Sequence, residues 1–293
     1  MEPDIIRLKE IKPALSGYIR EAQTLMGQSE FPDDKVVHDV RVLMKKSRAT
    51  LKLIGSQIEK EALKRDITDL RETGRIMRSW RESTVHRKVL RGFKKVYPEI
   101  FLQLEDDEKL TILMSNHESA SEASDDIKIN LNEITQLLNK TGYRIRFLSM
   151  NDLDPASLMK ELEATYQSAC NSYLKCRNIS KAENLHEFRK KSKDFLYQLW
   201  FFRPLNTTVV KSVEKKLEMI TQNLGKHNDM SQLIIALDYK YRVRRNLPAL
   251  DQLVVVIRDS QDNYLTKVWP IAYGIFYPGK SVFDVLDLKV LLF

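Results

Sequence analysis

The chain has 293 residues, of which 43% are hydrophobic and 30% are charged, and its formal net charge is +8. This share of apolar residues suffices for a substantial core at this length, which excludes a chain that is disordered throughout. Only nine Gly and nine Pro occur, and the Asn-Gly or Asp-Gly turns of β-hairpins are missing, which argues against an all-β fold.

Apolar residues recur at three- and four-residue spacing along almost the whole chain, which is typical of amphipathic helices. Proline and aspartate residues at the start or end of several segments set the predicted boundaries. The predicted helices cover residues 4–28, 33–59, 61–97 with a bend near Trp80, 125–148, 156–178, 182–203, 208–246 with a bend near Gly225, and 249–267.

Two stretches interrupt this helical pattern. Residues 103–126 are acidic and rich in serine, and we interpret them as a linker with at most a short helix inside. Residues 268–293 are aromatic and apolar and contain Pro270, Pro278 and Gly279. We treat this C-terminal stretch as a tail that packs against the helices and whose structure the pattern does not assign.

The sequence repeats itself. The segment VHDVR at residues 37–41 is matched by LHEFR at residues 185–189, and MRSWRE at 77–82 is matched by LGKHND at 224–229 with nearly the same offset. The matches indicate duplication of a unit of about 145 residues. We therefore predict an all-α fold of two four-helix bundles related by pseudo-two-fold symmetry, the first at residues 1–148 and the second at 149–267.

Positive charge is concentrated in two blocks of the sequence. Residues 35–95 contain 18 Lys and Arg against 7 Asp and Glu, and residues 175–245 contain 16 against 7. A soluble protein does not need such an uneven distribution for its stability. The blocks therefore indicate an anionic partner.

The second predicted helix carries a cationic stripe. Its residues follow one another at spacings of 3, 4, 3 and 4, which places them within about 80° of one another around the helix. Like charges at this spacing repel, and only Asp39 is interposed, so an anion-binding stripe is favoured over a solvated helix face. The stripe consists of His38, Arg41, Lys45, Arg48 and Lys52, with Lys46 beside it.

The third predicted helix has a similar arginine pattern, and the second half repeats both patterns with less charge. A guanidinium group is a planar fork of donors that suits phosphate oxygens. The arginines of the third helix are Arg71, Arg75, Arg78 and Arg81, and the candidates of the second half are His186, Arg189, Lys190, Lys193 and Lys226.

Motifs that would indicate catalysis or a metal are missing. The sequence has no GxxxxGK[ST], GxGxxG, GxSxG or HExxH motif, so we predict no catalytic residues, no cofactor and no enzyme activity. The histidines lack a second ligand at metal spacing, and Cys170 and Cys176 are expected to be reduced cysteines on one helix. Without an apolar leader or a membrane-length apolar run, a cytoplasmic chain without membrane association is expected.

The repeated signatures resemble those of the CHAD (conserved histidine α-helical domain) family. Its first signature reads roughly H-x-x-R-x-x-x-[KR]-[KR]-x-R, which VHDVRVLMKKSR at residues 37–48 matches. LGKHND at residues 224–229 is similar to the L-G-x-x-N-D element of the second half. Asp194 and Leu196 stand where the family tends to have basic residues.

The resemblance implies binding of inorganic polyphosphate in a basic groove or pore between the two bundles, and localisation of some members to polyphosphate granules. The charge pattern independently indicates a polyanion. Two alternatives stay open at this point. One is nonspecific nucleic-acid binding, with Trp80, Tyr197 or Trp200 stacking on bases. The other is phosphotransfer through His38 or His186, which predicts a phosphorylated histidine.

Overall fold

The computed structural model describes residues 6–28, 32–115, 122–150, 152–242 and 247–288, and within these ranges all regular structure is helical. The all-α prediction is therefore confirmed. The helices are α1 (Ile11–Gly27), α2 (Asp34–Leu53), α3 (Lys60–Ile76), α4 (Arg78–Val96), α5 (Pro98–Leu102), α6 (Glu108–Met114), α7 (Glu122–Phe147), α8 (Pro155–Asn178), α9 (Ala182–Leu199), α10 (Thr207–Ala236), α11 (Tyr239–Arg242), α12 (Pro248–Phe276) and α13 (Val282–Val285).

Capping side chains begin three of the long helices. The carboxylate of Asp33 accepts a hydrogen bond from the Val36 amide at the start of α2, at 2.7 Å. Asp154 accepts from the Ser157 amide at the start of α8, at 2.8 Å, and Asn206 caps α10. Each cap satisfies an amide that has no partner within its own helix.

Two sets of four helices pack around the main core. In the first half, α1 and α3 each pack against both α2 and α7. In the second half, α9 packs against α8 and α10, and α12 packs against the same two helices. Helix α2 also packs against α9, which joins the two sets. The internal duplication and the boundaries at 148 and 267 stay predictions.

A second core is separate from the main one. It joins α4, α5 and α6 to the C-terminal part of α10 and the N-terminal part of α12, through buried side chains that include Leu90, Phe101, Leu110, Leu233 and Leu253. The stretch that was interpreted as a linker therefore contains α6, whose Leu110 is part of this core. Residues 116–121 lie outside the described ranges.

Helix α12 extends beyond its predicted end at residue 267 and continues through Pro270 to Phe276. A proline inside a helix costs about 3 kcal/mol. Burial of Val268, Ala272 and Phe276 on one face of the helix offsets this cost. The predicted tail thus begins as helix, and Tyr166 of α8 fixes it by donating a hydrogen bond to the Ile275 carbonyl at 2.9 Å.

Two other helices end or break at residues other than those predicted. The third predicted helix is interrupted at Met77, which separates α3 from α4 three residues before the predicted bend. Helix α10 runs without a break through Gly225 and ends at Ala236. Asp238, with a positive φ of 53°, then turns the chain toward α11.

Candidate anion-binding site

Helix α2 holds the cationic stripe at the edge of the core. Its apolar residues Val40, Leu43, Met44 and Leu51 are all buried, which fixes the rotation of the helix. The stripe residues lie on a neighbouring face: His38 and Lys52 are exposed, while Arg41, Lys45 and Arg48 are half-buried. Burial of the apolar face therefore sets the stripe along the edge of the core.

The far end of the stripe meets α9. The ammonium of Lys52 lies 2.5 Å from the Asp194 carboxylate of α9. One turn away, the buried Gln198 side chain of α9 donates a hydrogen bond to the Ala49 carbonyl of α2 at 3.0 Å. These contacts fix α2 against α9, and we call this place the α2–α9 contact.

Arg48 lies at the α2–α9 contact with charges of three helices around it. Burial lowers the pKa of its guanidinium, the charge of Asp194 raises this pKa, and the charge of Arg71 of α3 lowers it. Asp194 thus pairs with Lys52 and acts on Arg48, while Arg71 acts on Arg48 from α3. The structure brings together cations that lie on two different helices in the sequence.

Aromatic side chains border the same region on the side of α9. Lys193 donates a hydrogen bond to the Tyr197 hydroxyl at 3.2 Å, and its ammonium lies 5.4 Å from the Tyr197 ring centroid. Burial raises the pKa of Tyr197 to about 12, and the charges of Arg189 and Asp194 also act on it. The sequence marks Tyr197 as a packing residue that could also stack on bases, and not as a partner of Lys193.

Tyr18 of α1 is a further aromatic neighbour that sequence reasoning missed. The ammonium of Lys46 lies 5.5 Å from its ring centroid. Tyr18 is also close enough to Tyr197 to act on the pKa of that hydroxyl. No local pattern marks Tyr18, because it belongs to a helix without a cationic stripe.

The two arginines of the repeated H-x-x-R segments make equivalent contacts. Arg41 donates a hydrogen bond to the Gly74 carbonyl of α3, and Arg189 donates to the Thr221 carbonyl of α10 at 3.0 Å. A Cβ atom on Gly225 would lie 3.1 Å from the Arg189 guanidinium. Both arginines therefore connect neighbouring helices, whether or not they also contact an anion.

The two repeated histidines have different surroundings. His186 Nδ1 lies 3.0 Å from the Asn228 side-chain oxygen of α10. Burial, with Lys190 and Arg189 nearby, lowers the pKa of His186, which favours the neutral ring near pH 7. His38 lines a cavity of about 700 Å³ together with residues that include Lys88 of α4 and Asp229 of α10.

The other candidate residues are engaged locally. Arg75 donates to Glu72 at 2.8 Å, Arg78 to Glu82 at 2.6 Å, and Lys190 to Glu187 at 2.7 Å. The Lys226 ammonium lies 5.4 Å from the Tyr264 ring centroid of α12. In these described contacts, none of the four residues reaches the α2–α9 contact. The side chain of Arg81 lies outside the described part of the structure.

Two of the aromatic residues considered for base stacking contribute to packing. Trp200 is half-buried, with its ring 5.0 Å from that of Phe201 and the Arg7 guanidinium 4.3 Å from its centroid. Trp80 is half-buried against the main core. Each ring therefore offers only part of its surface to a ligand.

Among the residues that the structure describes, no group of three His, Cys, Asp or Glu side chains is arranged to hold a metal ion. Cys170 and Cys176 are free and buried in α8, where burial raises the pKa of both thiols. Among the described helices, none is long and apolar enough to cross a membrane.

The sequence model of the CHAD domain matches residues 19–238, about three quarters of the chain. This chain belongs to the CHAD family. The matched range includes both H-x-x-R segments and all the helices that form the α2–α9 contact. The family assignment thus rests on the region that holds the cationic cluster.

A solved structure shows the same fold as this CHAD chain. It is described as the crystal structure of the CHAD domain from the plant Ricinus communis, and the two chains superpose with a TM-score of 0.59 over 96% of each, at 16% sequence identity. At this identity the likeness establishes the CHAD fold and nothing finer. No curated protein matches the chain.

Proposed function

We propose that this CHAD domain is a non-enzymatic module that binds inorganic polyphosphate at the α2–α9 contact. One observation carries the proposal: Asp194 pairs with Lys52 at 2.5 Å and acts on the Arg48 guanidinium, which also feels the charge of Arg71 of α3. Like charges gathered near a low-dielectric interior repel one another. A bound polyanion would offset this repulsion and would gain charge-assisted hydrogen bonds.

The stripe of α2 extends the cluster in the direction expected for a linear ligand. From His38 to Lys52 the helix rises about 21 Å at 1.5 Å per residue. Cations at a regular spacing over this length suit a chain of phosphates better than a single phosphate ion. Arg189 and Lys193 of α9, which both interact with Tyr197, would form the opposite side.

The resemblance of the repeated signatures to those of the family supports the same ligand. The departure at Asp194 supports a more specific proposal, in which the first half supplies most of the phosphate contacts. We further propose a cytoplasmic protein that associates with polyphosphate granules. A fluorescent fusion that stays diffuse in cells with stained granules would contradict this last point.

Removal of two cations at the α2–α9 contact tests the binding site. We expect Arg48→Ala/Lys52→Ala to weaken binding of long-chain polyphosphate at least tenfold, because two charge-assisted contacts are lost. The measurement is isothermal titration calorimetry on the full chain, with circular dichroism to show that helicity is retained. The matched control, Lys160→Ala/Lys175→Ala on α8, removes the same charge from exposed residues and should leave the affinity within about twofold.

A comparison of ligands distinguishes specific polyphosphate binding from nonspecific attraction of any polyanion. Polyphosphate, single-stranded DNA and double-stranded DNA are titrated at about 50 mM and about 200 mM salt, since counterion release weakens all three. We expect polyphosphate binding to persist at the higher salt while nucleic-acid binding is lost. Equal loss of all three ligands, or equal effects of the site and control variants, would refute a specific site.

A further inference from the structure

A second cationic region lies between α1 and α7. It is a cavity of about 450 Å³ whose lining includes Lys12, Ser16, Arg20, Tyr143 and Arg146. Helix α1 packs against α2 as well as against α7, and the described residues that line the cavity all belong to α1 and α7. None of its lining residues belongs to the α2–α9 contact.

The cations are spread along the cavity. Lys12 donates a hydrogen bond to the Leu148 carbonyl at 2.8 Å, and Gln23 donates to the Asn139 side chain at 2.8 Å, so α1 and α7 run antiparallel. Lys12 and Arg146 therefore lie toward one end of the cavity. Arg20 follows Lys12 by eight residues, which is about 12 Å along the helix.

Backbone forms part of the cavity wall at Gly142. A Cβ atom at this position would lie 3.2 Å from Ile19 Cγ2 and 3.4 Å from Gln23 Nε2. A side chain there would press on α1 and take up space in the cavity. The glycine thus allows the two helices to approach while the cavity above them stays open.

The positive charge of the cavity is not balanced by its own walls. Among the residues that the structure describes, none of those lining the cavity is acidic. Arg20 and Arg146 are exposed, and neither forms an ion pair with any residue that the structure describes. The hydrogen bond from Lys12 to the Leu148 carbonyl uses only one of the three ammonium protons of Lys12. Hydrogen-bond donors therefore stay available at both ends of the cavity.

We propose that this cavity binds the triphosphate group of a small phosphorylated ligand, with Lys12 and Arg146 at one end and Arg20 at the other. Arginine forks and an ammonium are the side chains that hold such oxygens. Tyr143, which is 68% exposed, would contact any planar group attached to the triphosphate. This second site goes beyond the polyphosphate function and does not require it.

The first test uses the Arg48→Ala/Lys52→Ala chain, so that binding at the α2–α9 contact does not obscure the result. Sodium tripolyphosphate and ATP are titrated by calorimetry. We expect the further change Arg20→Ala/Arg146→Ala to weaken tripolyphosphate binding at least tenfold, and Lys160→Ala/Lys175→Ala to leave it unchanged. No binding to the starting variant, or equal affinity after loss of both arginines, would overturn the second site.

Substitution of Tyr143 distinguishes a nucleoside triphosphate from free triphosphate as the ligand. If the ligand is a nucleoside triphosphate, Tyr143→Ala weakens ATP binding and leaves tripolyphosphate binding unchanged. If it is the free triphosphate, both probes bind equally well and neither responds to the substitution.

Hydrogen–deuterium exchange on the unaltered chain gives a measurement that does not depend on any variant. Tripolyphosphate should slow exchange in residues 12–23 and 139–148. Protection confined to α2 and α9 would assign the ligand to the first site alone and overturn the second.

Discussion

Asp194 is the carboxylate around which the cations of the α2–α9 contact are arranged. It lies 2.5 Å from Lys52, and its charge also acts on Arg48 and Tyr197. Only 18% of its side chain is exposed, against 42% for Lys52. If polyphosphate binds as proposed, Asp194 supplies part of the negative charge that a phosphate would supply, and it would compete with the ligand for Lys52.

Replacement of this carboxylate by its neutral isostere should strengthen binding. We expect Asp194→Asn to tighten polyphosphate binding about threefold or more, corresponding to ~0.7 kcal/mol, because Lys52 is released and one like-charge repulsion is removed. Stability should fall by at most about 1 kcal/mol, as for other partly exposed ion pairs. Calorimetry and urea unfolding measure the two effects.

The control for this change is Asp259→Asn, which removes an exposed carboxylate of α12. Long-range charge alone would alter the affinity equally in both variants. An Asp194→Asn chain that binds polyphosphate no better than the unaltered chain would show that Asp194 does not oppose the ligand.

At the scale of single elements, two glycines in helix interiors have different reasons to be there. Gly92 of α4 is exposed and has open space around its Cβ position. Gly225 of α10 is buried, with the Arg189 guanidinium 3.1 Å from the place of a Cβ. Gly92 therefore destabilises its helix relative to alanine, whereas Gly225 leaves room for Arg189, which joins α9 to α10.

Alanine at these positions should give different results. We expect Gly92→Ala to raise the free energy of unfolding by about 0.5–1 kcal/mol, because alanine loses less backbone entropy in a helix. Gly225→Ala should gain less than this or lose stability, since the Arg189 guanidinium has to shift. Urea unfolding of both variants measures the difference, and an equal gain would show that the contact between Gly225 and Arg189 is unimportant.

Helix α12 shows how tertiary burial changes the limits of an element. The pattern predicts an end at residue 267, because Pro270 and Gly274 follow. The helix nevertheless continues to Phe276, whose ring packs 5.4 Å from Phe188 and 6.0 Å from Tyr166. Local propensity alone does not contain this information, since the burial comes from helices α8 and α9.

For the whole molecule, buried histidines connect stability to pH. His86 of α4 and His227 of α10 are each only 8% exposed, and burial lowers the pKa of both. In the unfolded chain the same groups titrate near pH 6.5. Just below that pH the unfolded state therefore binds more protons than the folded state, and stability falls as the pH falls.

This linkage predicts acid sensitivity in a defined range. Between about pH 6.5 and the lowered pKa values of the folded state, each histidine should reduce the free energy of unfolding by up to about 1.4 kcal/mol per pH unit. Urea unfolding at steps from pH 7.5 to about 5.5 measures the slope. The variant His86→Gln/His227→Gln should have a shallower slope, and an unchanged slope would assign the effect to other groups.

The sequence by itself determined the helical class, the cationic stripe of α2 and the apolar face beside it, and the signatures of the CHAD family. These features depend on the order of residues within one helix, where periodicity and capping act over a few residues. The sequence repeat was also visible, because VHDVR and LHEFR have similar residues in the same order.

Only the tertiary structure decided which of these charges meet. It placed Arg71 of α3 and Asp194 of α9 beside Arg48, and it brought Tyr18 of α1 to Lys46. It also packed α4, α5 and α6 against α10 and α12, and it engaged Arg75 and Arg78 on their own helices. The physical reason is that contacts between helices follow from which apolar faces bury one another, and this choice depends on the whole chain rather than on any one segment.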